Sequence, residues 1–260
     1  MTPRDHSPGD DSPGDYGPGA YGAAMADVYD EWFASVSDVD ATVERIARWL
    51  DGGPVGPVLE LGVGTGRLAL PLAARGIDVH GVDASPEMVE RLRAKPGGSA
   101  LPVTIADMAG LDPPGPFALV FAAYNTIFNL TTAANQQRCF ASVAARLVPG
   151  GRFVIETFVP EAEIVSRPCV SVRSSDAARV VVAVSRVDAR AQTADGEYVE
   201  VTAHKVIRRP WRIRWSTGEE LDSMAKAAGL NLESRFADWN DVPYDTSSVG
   251  QVASYRKAAR

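Results

Sequence analysis

Cysteine and histidine are scarce in this chain, which has two cysteines and three histidines among its 260 residues. Cys139 and Cys169 do not have the close spacing of zinc ligands, and a single pair cannot build the disulfide framework of a small secreted protein. We therefore expect no metal site and no structural disulfide. A reducing cytoplasm is the expected location.

Long apolar runs and an excess of positive charge are missing as well. No stretch of about 18 consecutive apolar residues is present, so a membrane-spanning helix is not expected. The chain has 26 lysines and arginines against 33 acidic residues, and its net charge of -7 disfavours broad binding to nucleic acid or to an acidic membrane surface. We expect a small molecule as the main partner, and a monomer or a homodimer as the assembly.

The first part of the chain divides into a tail, two helical segments and a series of alternating elements. Residues 1–20 are rich in Pro, Gly, Ser and Asp, which predicts a disordered tail. A helical pattern begins near Met25, and a longer amphipathic helix is predicted over 39–50. Strands and helices then alternate up to Glu156, which predicts a parallel sheet covered by helices on both faces. Residues 21–156 thus form one unit of N-terminal lid helices and α/β core.

The pattern changes after the fifth strand. Residues 157–216 contain short β-type runs without helical crossovers, which predict an inserted antiparallel β layer that covers the substrate. These runs are 168–173, 178–188, 198–208 and 211–215. Asp195 and Gly196 are interpreted as the turn between the middle two runs. Residues 217–260 predict a helix and a closing pair of strands.

The most informative stretch is residues 58–72. A short apolar strand pattern ends in three glycines at alternate positions, Gly62, Gly64 and Gly66, and an apolar helical pattern follows. Glycine tolerates positive φ and has no Cβ, so backbone N–H groups can approach a ligand closely. Glu60, at the end of the strand, would repel the diphosphate of a dinucleotide but would attract a cationic amino-acid group. S-adenosylmethionine is a cofactor that has such a group and no phosphate.

Polar and aromatic side chains stand at the ends of the predicted strands. Besides Glu60, these are Asp83, Asp107, Tyr124 and Glu156. Ligands of open α/β sheets bind beyond the carboxyl ends of the strands, so we expect these residues to converge on one site. Asp83 and Asp107 have a second interpretation, because an acid at the start of a helix also stabilises that helix.

The run E-L-G-V-G-T-G resembles the first motif of the class I S-adenosylmethionine-dependent methyltransferases, and L-V-P-G-G at 147–151 resembles a later one. The resemblance implies an α/β fold with a Rossmann-like seven-stranded sheet whose last strand is antiparallel. It also implies that Asp83 accepts hydrogen bonds from the ribose hydroxyls and that Asp107 lies beside the adenine amino group. We accordingly predict S-adenosyl-L-methionine as the cofactor. Its predicted contacts are Tyr29, Glu60, Gly62, Gly64, Gly66, Arg67, Asp83, Ala84, Met88, Asp107, Met108 and Tyr124.

Residues 26–30 (A-D-V-Y-D) resemble the A-x-x-Y-D element with which several small-molecule methyltransferases close a lid over the cofactor. A looser resemblance, to the amino-sugar N-methyltransferases, implies that Tyr29 lies near the reacting amine. That group has a histidine at the position of Asn129, so no base carries over there. We predict in-line methyl transfer to the nitrogen or oxygen of a small molecule in a closed pocket. Tyr29, His204 and Glu156 are the catalytic candidates.

Two other functions remain compatible with the sequence. Gly64-x-Gly66-x-x-Ala69 fits the G-x-G-x-x-A fingerprint of NAD(P)-dependent oxidoreductases, although Glu60 and Asp107 argue against that function. The other alternative is a protein that binds S-adenosylmethionine without transferring its methyl group.

Overall fold

The structure is a computed structural model that describes residues 16–34, 36–110, 115–161 and 168–259. Residues 1–15, which make up most of the predicted disordered tail, lie outside these ranges. Within residues 16–20, which the structure describes, the Tyr16 hydroxyl accepts a hydrogen bond from the backbone N–H of Arg212 at 3.1 Å. The Arg212 guanidinium also lies over the Tyr16 ring, 5.7 Å from its centroid. A lone tyrosine among prolines and glycines gives no periodic pattern, so the sequence does not predict this contact.

The strands form two separate sheets. They are β1 (Val58–Leu61), β2 (Val79–Asp83), β3 (Val103–Ile105), β4 (Phe117–Ala122), β5 (Leu147–Phe158), β6 (Pro168–Ser175), β7 (Arg179–Asp188), β8 (Thr193–Thr202), β9 (Val206–Arg214), β10 (Leu230–Phe236) and β11 (Gly250–Lys257). The first sheet has the order β3-β2-β1-β4-β5-β11-β10, with β1 to β5 parallel. The last strand, β11, is antiparallel to both β5 and β10. The predicted seven-stranded Rossmann-like sheet with an antiparallel last strand is confirmed.

The helices are α1 (Ala20–Met25), α2 (Tyr29–Trp32), α3 (Val39–Leu50), α4 (Ala69–Ala74), α5 (Pro86–Arg93), α6 (Ala133–Arg146) and α7 (Gly218–Ala227). The predicted helix over 39–50 is confirmed, and Asp38 caps it by accepting a hydrogen bond from the Ala41 N–H at 2.9 Å. The pattern near Met25 is not one helix, because a turn separates α1 from α2. That turn lets Asp27 reach a buried arginine of the second sheet, so a tertiary ion pair overrides the local helical pattern. None of the described helices is long and apolar enough to cross a membrane.

The second sheet follows β5 in the chain and precedes α7. Its strands have the order β6-β7-β8-β9 and are all antiparallel, which confirms the inserted antiparallel layer. The predicted turn at Asp195 and Gly196 is wrong, since both residues lie inside β8. The actual turn spans 189–192, where the Asp188 carboxylate accepts hydrogen bonds from the N–H groups of Arg190 and Ala191. Gly196 is required for packing instead, because an added Cβ would lie 2.2 Å from the Val184 carbonyl oxygen.

Alternate residues of β4 point into two different cores. Val120 packs in one cluster with Phe140 of α6, whereas Leu119 and Phe121 belong to the opposite cluster, which includes Ile46 of α3. All five side chains are fully buried. Helices therefore cover both faces of the first sheet, as the alternation of strands and helices predicts.

The N-terminal helices pack over the rim of the first sheet through a third cluster. Met25 and Phe33 are buried against Met88 of α5. Gly22 of α1 lies so close to Ser85 that an added Cβ would be 2.4 Å from the Ser85 Cβ. This close approach places α1 and α2 beside the carboxyl ends of the parallel strands, where ligands bind in such sheets.

Candidate active site

A cavity of about 320 Å³ lies at the carboxyl ends of the parallel strands. Nine of the residues predicted from the sequence line it: Tyr29, Gly62, Gly64, Asp83, Ala84, Met88, Asp107, Met108 and Tyr124. The N-terminal helices and the second sheet supply lining residues that the sequence does not single out: Pro18, Tyr21, Gly22, Phe33, Tyr198, Trp211 and Ile213. The cavity thus has a wall from each part of the fold.

The glycine turn after β1 is left-handed at all three glycines, with φ values of +65°, +53° and +81° at Gly62, Gly64 and Gly66. A Cβ on Gly62 would lie 2.6 Å from Thr126 Cγ2, so that glycine is needed for packing. Within the part of the chain that the structure describes, and apart from the adjoining residues, a Cβ on Gly64 would meet only the Gly62 carbonyl oxygen, at 3.9 Å. The backbone at Gly64 therefore borders open space, as close approach of a ligand requires.

Glu60 is a buried carboxylate with an unused oxygen. Only 4% of the residue is exposed, and its Oε2 atom has no hydrogen-bond partner among the described residues. Burial raises the pKa of Glu60 to about 8, although the nearby Arg67 guanidinium opposes the shift. A cationic ligand group beside this carboxyl group would relieve the cost of its burial. Glu60, Gly66 and Arg67 are predicted contacts that are not among the residues lining the cavity. The Arg67 guanidinium contacts the Ser37 hydroxyl.

Asp83 is the last residue of β2 and Asp107 lies two residues after the end of β3, and both carboxylates accept hydrogen bonds from backbone N–H groups. Asp83 accepts hydrogen bonds from Gly64 N at 2.7 Å and from Ser85 N at 2.9 Å. Burial raises the pKa of Asp83, and these N–H groups oppose the shift. Asp107 accepts one from Ala109 N at 2.9 Å. The N-cap of α5 is Ser85 and not Asp83, so capping alone does not account for the position of Asp83.

Glu156 lies behind the cavity and supports the loop after β4. Its Oε2 accepts a hydrogen bond from Tyr124 N at 2.7 Å, and its carbonyl oxygen accepts one from Asn125 N at 2.9 Å. The segment is strained, because Tyr124 and Asn125 have φ values of +47° and +63°. The two hydrogen bonds to Glu156 stabilise it. Glu156 is not among the residues that line the cavity, whereas Tyr124 is. The Glu156 carboxylate therefore holds the Tyr124 backbone in place.

Tyr29 is the catalytic candidate that the structure brings to the cavity. Its ring stacks on Phe33, with centroids 4.9 Å apart, and its burial raises the pKa of the phenol to about 12. The phenol therefore stays neutral at physiological pH. His204 is elsewhere: it is not in a strand but on the exposed turn between β8 and β9, where its backbone N–H donates to the Thr202 hydroxyl. It does not line the cavity.

Aromatic side chains dominate the wall formed by the second sheet and the N-terminal helices. Trp211 and Ile213 alternate on β9 and so share one face, and Tyr198 of β8 lies 6.3 Å from Trp211 between ring centroids. Trp32 packs edge-on against Tyr198 at 5.7 Å. The alternation at 211 and 213 is visible in the sequence, but only the pairing of β8 with β9 places Tyr198 beside it.

Comparisons with known proteins agree with this arrangement. A family model described as a methyltransferase domain matches residues 58–151. The CcbJ methyltransferase from Streptomyces caelestis is 34% identical, with a TM-score of 0.84, over 94% of this chain and 100% of that chain. The sugar N-methyltransferase KedS8 from Streptoalloteichus is 22% identical over 89% of this chain and 93% of that one, and its TM-score of 0.68 indicates a shared fold. An uncharacterised Geobacillus kaustophilus methyltransferase is 32% identical over 48% of this chain, which spans only 56% of that relative.

Proposed function

Since this chain belongs to the class I S-adenosylmethionine-dependent methyltransferases, we propose that it transfers the cofactor's methyl group to a nitrogen atom of a small molecule. Membership of this family argues against the two other functions that the sequence leaves open. These are an NAD(P)-dependent oxidoreductase and a protein that binds S-adenosylmethionine without transferring its methyl group. The observations that support the cofactor's placement are the buried carboxyl group of Glu60, with its unused oxygen, and the open backbone of Gly64, four positions further along the chain and at the cavity wall. A cationic amino-acid group of a ligand would pair with the Glu60 carboxylate. The backbone of Gly64 leaves room for a ligand to approach it closely.

The residues that would hold the cofactor fall into two groups. Glu60 and the glycine turn would bind its amino-acid end, and Asp83 and Asp107 would bind the ribose and the adenine. When bound, the cofactor supplies a sulfonium methyl group that is already activated for displacement. The protein then has to hold the nucleophile close and exclude water, which can account for most of the rate.

The choice of nitrogen rests on the residues that face the cavity. Apart from tyrosines, the ionisable side chains among its described lining residues are Asp83 and Asp107, and both accept backbone hydrogen bonds. An amine has only to be neutral to react, whereas a hydroxyl group benefits from a base in contact with it. Tyr29 has a neutral phenol whose oxygen can accept a hydrogen bond from an amine N–H. That bond would orient the nitrogen lone pair towards the methyl group.

The substrate that we propose is an amine on a sugar or a similar ring. Its ring would lie against the aromatic wall of Tyr198 and Trp211, because sugar and aliphatic rings pack well on aromatic faces. The name of KedS8, a sugar N-methyltransferase, supports the same class of substrate. The lid of α1 and α2 would close the pocket during transfer.

This function is tested with purified protein and S-adenosylmethionine labelled in its methyl group. Ring compounds that have an amino group are compared with analogues that have a hydroxyl group at the same position. We expect labelled product from the amines alone, at a rate that rises with pH until the amine is neutral. Label on the hydroxyl analogues alone would contradict the nitrogen assignment. Absence of cofactor binding would contradict the whole proposal.

Replacement of Asp83 is expected to weaken cofactor binding in a graded manner. Asp83→Ala should cost about 1–3 kcal/mol of S-adenosylmethionine affinity, because it leaves hydroxyl donors of the ligand without a charged acceptor. Asp83→Asn should cost less, since its amide oxygen still accepts a hydrogen bond. Isothermal titration calorimetry measures both affinities. Two equal and negligible effects would assign Asp83 to support of the turn and not to the ligand.

Glu60 should make both stability and cofactor affinity depend on pH. Its folded pKa, about 8, exceeds the ordinary value of 4.5, so the unfolded chain releases this proton at lower pH. The stability that the protonated group contributes is therefore full below about pH 4.5 and is lost as pH rises to about 8. A cationic ligand requires the ionised carboxylate, so cofactor affinity should rise between about pH 6 and 8, by up to about tenfold per unit. Glu60→Gln should flatten both profiles, as measured by thermal unfolding and calorimetry.

A further inference from the structure

The segment from Asp27 to Phe33, which contains Tyr29, has acidic side chains that bind basic residues on two sides of the cavity. The pairs are Asp27 with Arg209 of β9, Glu31 with Arg179 of β7, and Asp30 with Lys95, which follows α5. Two of these partners belong to the second sheet, and the third lies beside the glycine turn. The segment therefore bridges the two parts of the fold, and Tyr29 lies between its two attachments.

The attachment to the second sheet is built on a buried arginine. Only 5% of the Arg209 side chain is exposed, and its guanidinium contacts both carboxylate oxygens of Asp27, with Nη2 to Oδ2 at 2.8 Å. It also donates to the Ala24 carbonyl oxygen at 2.7 Å and to Glu200 at 3.3 Å, and it lies 5.5 Å from the Trp32 ring centroid. A buried charge with this many partners is costly to leave unpaired, so Arg209 holds the segment firmly.

The attachment to the glycine turn is a hydrogen bond to the residue between two of its glycines. The Thr65 hydroxyl, on a residue that is 1% exposed, donates to Asp30 Oδ1 at 2.5 Å. Lys95 Nζ donates to Asp30 at 2.9 Å and to the Thr65 carbonyl oxygen at 2.9 Å. The Asp30 side chain is 51% exposed, so its ion pair with Lys95 contributes little by itself. The bond to the buried Thr65 is the stronger part of this attachment.

We propose that Arg209 and Asp30 are positioning residues, which act through Tyr29, and that Asp30 couples the glycine turn to the lid. The inference rests on the proposed function, because it assumes that a ligand binds at the turn. A ligand that fixes the turn also fixes Thr65 and hence Asp30, the residue that directly follows Tyr29. By linkage, docking of the segment must then strengthen binding of that ligand by the same factor. Arg209 sets where the segment docks, and Asp30 makes the docking respond to the occupied turn.

The test measures hydrogen–deuterium exchange of the whole protein with and without S-adenosylhomocysteine, alongside calorimetric affinity for the same compound. In the wild type, we expect the ligand to slow exchange over residues 20–33 by about tenfold. Thr65→Val and Asp30→Asn should still bind the ligand, with affinity reduced by about three- to tenfold, but should lose most of that additional protection. A residue that only stabilised the fold would change exchange equally in both states.

Arg209 is tested by two replacements and a matched control. Arg209→Met should leave residues 20–33 poorly protected in both states, and Arg209→Lys should restore part of the protection. Arg208→Met is the control, because Arg208 precedes Arg209 on the same strand and pairs with Glu197 on the exposed side. It should behave as the wild type does. If Arg209→Met does not fold, Asp27→Asn removes the same pair from its half-exposed side.

The outcomes separate this inference from the proposed function. Failure of the wild type to bind S-adenosylhomocysteine would overturn the function. If the wild type binds the ligand, an undiminished gain in protection in both Thr65→Val and Asp30→Asn would overturn the coupling. Normal protection of the segment in both Arg209→Met and Asp27→Asn would overturn the role of Arg209.

Discussion

Gly64→Val is expected to abolish cofactor binding while the sheet stays folded. At a φ of +53°, a β-branched residue is strained, and among the described residues, its chain neighbours aside, an added Cβ would have one atom within 4 Å, a carbonyl oxygen 3.9 Å away. The two valine methyl groups would therefore extend into the cavity and occupy the space of the ligand. We expect S-adenosylmethionine affinity to fall by about a hundredfold, which corresponds to about 2.7 kcal/mol and lies near the upper end of the about 1–3 kcal/mol that overpacking costs. Calorimetry measures the affinity, and circular dichroism checks the fold.

Gly76→Val is the matched control for this strain. Gly76 follows α4 and has a φ of +80°. No atom of the described residues, its chain neighbours aside, lies within 4 Å of an added Cβ, and Gly76 does not line the cavity. The two variants should lose similar amounts of thermal stability, and Gly76→Val should keep its affinity within about threefold. Binding by Gly64→Val within a few-fold of the wild type would show that the turn is not the cofactor site.

The sequence predicts nine residues that line the cavity, because the features that bring them there are local. Positive φ at Gly62 and Gly64 and the acid at Glu60 all lie within one strand and turn. Asp83 and Asp107 follow from the rule that ligands bind at the carboxyl ends of parallel strands, which needs only the order of the elements. Such a position can be predicted without knowing which distant strands pair with each other.

The substrate side depends on pairing, which the sequence does not encode locally. Gly196 has the composition of a turn, but its lack of a Cβ is needed to pass Val184 in the neighbouring strand. The misplaced turn then assigns His204 to a strand, although it lies on the exposed connection. The sequence predicts a strand that ends at Glu156, but β5 continues to Phe158. The Glu156 carboxylate accepts a hydrogen bond from the Tyr124 backbone, because the left-handed loop after β4 needs that acceptor. The roles of Gly196, His204 and Glu156 therefore depend on residues that are distant in the sequence.

Removal of residues 1–34 is expected to reduce turnover far more than it reduces cofactor binding. The deletion takes away α1 and α2, including Tyr29 and the buried Phe33, so water enters the cavity and the nucleophile is poorly held. Misplacement of reacting groups by about 1 Å can cost a hundredfold, so we expect a loss of about 10²-fold or more in the single-turnover rate. The first sheet should persist, because the two clusters that pack its faces contain residues from 39 onwards.

Two control proteins are needed to interpret the result of this deletion. A chain that lacks residues 1–15 keeps every contact described above and should retain its rate, so a loss in the longer deletion would come from α1 and α2.

His204→Ala should also change the rate by less than about twofold, because an exposed turn residue away from the cavity can neither hold the amine nor take its proton. The single-turnover rate, cofactor affinity and circular dichroism are measured for each protein with the amine identified by the labelling experiment. Full activity in the chain without residues 1–34 would mean that the cavity works without its lid. A loss of about 10²-fold or more in His204→Ala would instead mean that the turn between β8 and β9 reaches the substrate during transfer.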